Sequence, residues 1–515
     1  MTALLRNPRR VWIVLVAMVL MTRLPALVHP RAIDDEQAYA VAGRELAQGG
    51  VLYLDVVDRK PPLLFAVYRS ILGTTGLRNW PALHVAAVLW TLTTMAGLYF
   101  ILRPRFDWQT GAMAAALYGL FQMWGDYRML ALNGELMMNL PIVLAVLIAF
   151  RPGSRTWRPE LFVAGALVAV ATLLKQPAGV AGVALAWYVL SPAYARSRRL
   201  GVGPRVWHAS LLAAGFALTL GIAALTLARQ GILRETLYWS VLNHADAVGP
   251  TTWHYWSRAL PSTSLFLAET VPVWLAAAAV MWSTRAAEFW KEHAAERHAL
   301  SVLLGVSLLA VSINGQFLYH YYLQLLPPLC LLAAPVLRDV LTSNPRMAAA
   351  HSFRRGLLAW LVCTLLLFAT VDTIGLAVNR RDTEAGAWVR AHSGPDDRLF
   401  VWGQAGRFYG MYLDADRRPA SRFIASFPLT GHIFGSYPAE WGTAYEDQHV
   451  VPGAWDTLQQ DFSKHPPRYI IDAEAALPRT RYPVSRYPVF SALLQREYRP
   501  VATTADGVIY ERQLQ

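Results

Sequence analysis

Cysteine is almost absent: two in 515 residues, Cys330 and Cys363, both inside apolar stretches. That excludes a disulfide-stapled secreted domain and a cysteine metal centre. Charge is scarce too, at 16% of the chain, while 55% is apolar and mean hydropathy is +0.30. So dry a composition excludes a soluble enzyme and a disordered chain. Also missing are the glycine-rich strand–loop–helix of a nucleotide site, a serine nucleophile elbow and the H-E-x-x-H of a zinc hydrolase. There is no internal repeat, which counts against a secondary transporter. What is present is a series of uncharged apolar runs, several of about 20 residues and so able to cross a bilayer core. The chain reads as a polytopic α-helical membrane protein.

The net charge of +13 raises the question of nucleic acid. Its distribution answers no. From Arg380 onward, 16 Lys and Arg balance 16 Asp and Glu, so the excess lies in the membrane part. Apolar runs place about eleven spans, near 11–28, 83–102, 108–125, 136–150, 161–175, 177–194, 208–228, 263–282, 299–313, 321–337 and 356–377. The first follows Arg6, Arg9 and Arg10 like a signal peptide. It offers no clean small-residue cleavage site and is expected to be a retained helix. Splitting 161–194 into two short spans puts the arginines on both flanks in the cytoplasm, as the positive-inside bias favours. The cytoplasmic segments then hold 19 Lys and Arg against six acids, the whole excess charge of the protein.

This orientation puts 29–82, 126–135, 229–262, 314–320 and the tail on the outer side. The chain divides into a membrane module, 1–378, and a soluble extracytoplasmic domain, 379–515. Within the first outer loop, 37–48 has amphipathic helical spacing and suggests a helix lying along the membrane surface. In the tail, strand-like runs at 399–402, 469–471 and 508–510 alternate with helical stretches at 383–391 and 454–462, predicting a small α/β domain.

Candidate chemistry collects in the outer loops. Asp34-Asp35-Glu36 set three carboxylates at the bilayer edge, where they act as a base, hold a cation or simply begin a solvated helix. Arg59 and Lys60 precede a stiff Pro61-Pro62, which fixes where Lys60 points; it reads as a phosphate contact or a snorkelling anchor. Glu135 either caps the following helix or shares a site with Asp35. Lys175 is a second phosphate contact or another snorkelling lysine. His320 and Tyr321 sit in an aromatic hairpin, where the imidazole either donates to a phosphate or is a satisfied boundary histidine.

Taken together, the motifs resemble the bacterial GT-C glycosyltransferases of the aminoarabinose-transferase, protein mannosyltransferase-like and Rgt-like group. The D-E-x-x-Y pattern is matched by Asp35-Glu36 with Tyr39, G-x-x-x-Y by Gly49 and Tyr53, and K-P-P-L by Lys60-Pro61-Pro62-Leu63. N-x-E is matched by Asn133-Gly134-Glu135, and H-Y-x-x-x-x-x-P by His320-Tyr321 through Pro327. Phe400-Val401-Trp402-Gly403 and Pro419-Ala420-Ser421-Arg422-Phe423 resemble that branch's outer domain. The W-W-D signature of oligosaccharyltransferases is absent.

The resemblance implies an inverting transfer of a sugar from a polyprenyl-phosphate donor to a lipid, glycan or protein acceptor at the outer face of the bacterial inner membrane. It assigns the catalytic carboxylate to Asp35, with Asp34 as the neighbouring alternative. Glu36 and Glu135 are supporting acids, and Lys60, Arg59, Lys175, His320 and Tyr321 face the donor phosphate. No cofactor is certain; a divalent metal on Asp35 and Glu135 is possible. Expected partners are the lipid-linked sugar, its acceptor and membrane lipids, with no nucleic acid. The alternative is a transporter or flippase of lipid-linked glycans.

Overall fold

In hydrocarbon every backbone amide needs a partner within the protein, so uncharged runs of this length close into helices. The computed structural model describes residues 7–31, 33–125, 127–152, 156–243, 252–313, 315–342, 348–379, 382–404, 408–432 and 446–513. These fall into two compact units. One comprises Met1–Pro30, Leu83–Leu227 and Tyr255–Ala377; the other comprises Arg31–Ala82, Ala228–His254 and Val378–Gln515.

The first unit is helical, and the chain is a multi-pass membrane protein. Among the described residues six helices are long and apolar enough to span a membrane, or eight if each of two bent pairs counts as one span. Trp108–Phe121, Gly134–Ala149 and Glu160–Leu174 are apolar but shorter than the ~20 residues a perpendicular span needs. The expected eleven spans are therefore not established by length.

One span differs in kind. The run at 263–282 is two helices, Trp256–Glu269 and Val271–Trp282, meeting at 91°. Pro272 in the first turn of the second helix has no N–H to continue the ladder. Near the break, the Thr270 hydroxyl donates to the Phe266 carbonyl at 2.6 Å and the Trp274 indole to Leu267 at 2.8 Å.

Glu160–Leu174 crosses Val202–Arg229 at two glycines. A Cβ on Gly165 would lie 2.0 Å from the Leu212 carbonyl oxygen, and one on Gly215 would lie 1.9 Å from that of Phe162. The backbones touch, as small residues permit between membrane helices. In Val202–Arg229 only His208, Leu212 and Gly215 are buried.

The second unit combines the first loop with the tail. Its five-stranded sheet has β1 (Arg398–Trp402), β2 (Arg418–Pro419), β3 (Pro467–Asp472), β4 (Tyr498–Thr504) and β5 (Gly507–Arg512) in the order β2-β1-β3-β5-β4. The first three strands run parallel and β5 pairs antiparallel with β3 and β4. Trp402 stacks on Phe490 at 4.7 Å and Phe400 meets Phe462 edge-on at 5.0 Å, filling one face.

The predicted surface helix is an inner element of this unit. Asp34–Ala47 is buried from Ala38 through Leu46 and packs on Pro62–Thr75 and Phe408–Ala415. Gly43 allows this, since a Cβ there would stand 2.7 Å from that of Tyr68. Its amphipathic spacing reflects protein packing. Arg44 pairs with Asp416, Arg418 with Glu45, and Arg31 with Asp382 and Asp414, joining loop to tail.

Candidate functional site

The acidic cluster lies on the first turn of Asp34–Ala47, where three carboxylates meet the positive end of the helix. Their environments differ. Glu36 is buried and accepts a long hydrogen bond from the Tyr68 hydroxyl at 3.5 Å. Asp34 is half-buried, and Asp35 is exposed. Among the described residues no group hydrogen-bonds or ion-pairs with the Asp35 carboxylate. Burial, reinforced by Glu36 and Asp35, pushes the Tyr68 hydroxyl well above its ordinary range, so it stays a neutral donor.

The same unit holds the first pair of cations. Asp58 accepts the Lys60 backbone N–H at 3.0 Å, and the Tyr53 hydroxyl donates to the Lys60 carbonyl at 2.7 Å. Pro61 then caps Pro62–Thr75. The backbone of Lys60 is thus held from both sides, as the double proline predicts. Its ammonium lies 5.9 Å from the centre of the Tyr39 ring. The Arg59 guanidinium lies over Phe427 at 4.4 Å.

Tyr409 is buried within electrostatic reach of both acids and a cation. Burial pushes its hydroxyl well up, and Asp58, Asp35, Arg59 and Asp34 all act on it. Tyr39, Tyr68 and Tyr409 are therefore site residues that the sequence reading did not assign. Tyr39 carried a signal, being the tyrosine of D-E-x-x-Y; Tyr409 carried none, being far away in the tail.

A second cluster forms in the helical unit. Asn133, not Glu135, caps Gly134–Ala149, its side chain accepting the Leu136 N–H at 2.8 Å. Glu135 is instead buried against Lys175, with Nζ to Oε1 at 2.7 Å, and His320 Nε2 is 3.8 Å from the same oxygen. The Lys175 ammonium also sits 5.0 Å from the Tyr321 ring centre, and His320 meets Tyr321 edge-on at 4.8 Å. Lys175 is buried rather than snorkelling. Glu135, Lys175, His320 and Tyr321 thus converge from three separate segments. The other four predicted residues, Asp35, Glu36, Arg59 and Lys60, belong to the other unit.

Chemically, the first cluster offers an exposed carboxylate in the same unit as two cations. The second offers a neutralised acid–lysine pair with an imidazole and a phenol as donors. Among the described residues no group of three or more His, Cys, Asp or Glu is placed to hold a metal ion.

Residues 59–223 match the dolichyl-phosphate-mannose-protein mannosyltransferase family. No curated protein matches the chain in sequence. Among solved structures, ArnT from Cupriavidus metallidurans bound to undecaprenyl phosphate superposes with a TM-score of 0.59 at 15% identity, over 97% of each chain. The archaeal oligosaccharyltransferase AglB from Archaeoglobus fulgidus, in complex with an inhibitory peptide and a dolichol-phosphate, superposes with a TM-score of 0.54 at 11% identity. That match covers 98% of this chain and 74% of AglB. At these identities the structures speak for a shared fold.

Proposed function

We propose that this chain, which has the GT-C glycosyltransferase fold and a segment matching the protein mannosyltransferase family, moves a sugar from a polyprenyl-phosphate donor to a cell-envelope acceptor. The observation that carries the mechanism is the exposed Asp35 on a rigid helix start, in the same unit as Lys60 and Arg59. Asp35 takes the proton of the acceptor hydroxyl. The oxygen attacks the anomeric carbon, the carbon–oxygen bond to phosphate breaks, and polyprenyl phosphate leaves with the electron pair. A phosphate needs no protonation to leave, so one base and several cations suffice. A single displacement of this kind inverts the anomeric centre.

Asp35 is preferred to Asp34 because it is the more exposed of the two, and to Glu36 because that carboxylate is buried against Tyr68. Lys60 is the principal phosphate contact in its unit, with Arg59 beside it. Lys175, His320 and Tyr321 form a second set of donors whose positive charge Glu135 tempers. The basic cytoplasmic segments orient the acid loop and the tail outward, at the inner membrane of a bacterium.

The test is purified chain with polyprenyl-phosphate sugar and envelope glycolipids, following polyprenyl phosphate release and product mass. Release is expected together with an acceptor heavier by one sugar, whose new linkage has the anomeric configuration opposite to the donor's. A flippase would move the donor and release no phosphate. In intact cells, a cysteine placed at Asp35 should react with an impermeant thiol reagent and one at Arg198 should not; the reverse pattern would overturn the orientation.

A further inference from the structure

In the G-x-x-x-Y loop Tyr53 holds the Lys60 carbonyl, while the residues at its start line a different feature. Gly49, Gly50 and Val51 line a cleft of about 550 Å³ within the second unit, together with residues after β2 and the end of Ala454–Lys464. Four cations and a histidine face it: Arg398, Arg418, Arg422, Lys464 and His465.

The three acids of the cleft are committed to structural bonds. Glu45, 2% exposed, accepts from Arg418 Nε at 3.0 Å. Asp461 accepts the Ser421 hydroxyl at 3.0 Å, the Arg422 N–H at 3.0 Å and the Arg422 guanidinium at 2.8 Å. Asp55 accepts the Val51 N–H at 2.7 Å.

The cations are not used up in the same way. Arg418 and Arg422 each engage their acid through Nε and Nη2, leaving Nη1. Arg398 spends Nη1 on the Pro419 carbonyl at 2.9 Å. Lys464 is mostly exposed and stands 3.9 Å from Asp55, outside hydrogen-bond range. Glu45 and Asp461 are 2% and 10% exposed against 30% and 25% for Arg418 and Arg422, so the guanidinium edges are the more open side of these two pairs.

We propose that this cleft binds an anionic saccharide, its phosphate or carboxylate on the arginine edges and Lys464. Planar guanidinium forks suit both anions. The volume lies within the range of small-molecule sites and is several times that of a phosphate ion, leaving room for sugar rings beside Gln48 and the loop backbone. On the glycosyltransferase reading, which this role rests on, the occupant is the charged part of the acceptor.

The test is calorimetric titration of the full chain in detergent with glucose 6-phosphate, glucuronate, inorganic phosphate and glucose. The two anionic sugars should bind, glucose should not, and inorganic phosphate should bind at least tenfold more weakly. The Arg398→Gln/Lys464→Gln double variant should lose at least tenfold in affinity with its thermal midpoint kept. The exposed Lys464→Glu alone should also weaken binding, which keeps the test open if the double variant misfolds. Unchanged binding in both variants, inorganic phosphate as tight as glucose 6-phosphate, or no anionic sugar bound by the parent would each overturn the proposal. Asp35→Asn should leave this binding intact, so loss of transfer and loss of the cleft are separable.

Discussion

Asp35 stands exposed on the first turn of its helix, whereas Glu135, on the first turn of another, is buried with the Lys175 ammonium 2.7 Å away. Both positions are favourable to an anion, since each lies at a positive helix end. Surroundings separate their roles. A carboxylate open to solvent can be reached by an acceptor, while one buried against a lysine is committed to that partner, and removing either leaves the other charge stranded. Lys60 and Lys175 differ likewise: the first is positioned by its backbone, the second by a salt bridge.

The largest expected effect would break this comparison at Asp35. Asp35→Asn should lower turnover about 10²- to 10⁴-fold, the usual worth of a general base, while donor binding by the full chain persists. Near-normal turnover there, with loss in Asp34→Asn, would move the base by one residue.

Next comes the buried pair. Lys175→Met should cost about 3–5 kcal/mol, because it strips the lysine from a buried carboxylate. Chemical denaturation would read this, and Glu135→Gln in the same chain should recover most of it. A Lys175→Met protein as stable as the parent would mean that the pair is not structural.

A smaller effect is expected at Lys60. Lys60→Ala should weaken donor binding roughly ten- to hundredfold, as about 1.5–3 kcal/mol of charge-assisted contact is lost, and Lys60→Arg should keep part of it. Equal donor affinity in Lys60→Ala would shift the phosphate to Lys175 and His320.

The smallest effect sharpens the comparison with a third carboxyl. Burial raises Asp472, at the end of β3, to about 6, against the N–H of Ala475 and helped by Glu474. The folded state then binds more protons than the unfolded between about pH 4 and 6, so stability falls as pH rises through that window. Asp472→Asn should flatten that fall by about 2 kcal/mol, allowing for partial solvent access. An unchanged slope would place the titration elsewhere.

Much of this was legible in the sequence. Uncharged runs located the helices, and the strands at 399–402, 469–471 and 508–510 were read correctly because β1, β3 and the core of β5 are short β-branched and aromatic runs. β4 was missed: it carries Pro500 on a sheet edge, which weakens the pattern. The break at Thr270 was missed because a hydropathy run does not register a single proline. Asp34–Ala47 was assigned to the surface because spacing alone cannot tell a bilayer from a neighbouring helix. Motif residues such as Asp35 and Lys60 were visible in sequence, but the pairing of Glu135 with Lys175 was not, since the two are brought together only by the fold.

The glycine crossing of Glu160–Leu174 and Val202–Arg229 has a mechanical consequence. At 1.5 Å per residue the longer helix measures roughly 42 Å, against a hydrocarbon core of ~30 Å. The surplus is taken up by tilt or by turns outside the hydrocarbon, and the N-terminal turns are held, Arg205 donating to the Leu190 carbonyl at 2.8 Å and Trp207 stacking on Trp157 at 5.6 Å. The seam at Gly165 and Gly215 thus sits between those held turns and a largely lipid-facing remainder, the last place along the helix where two backbones touch.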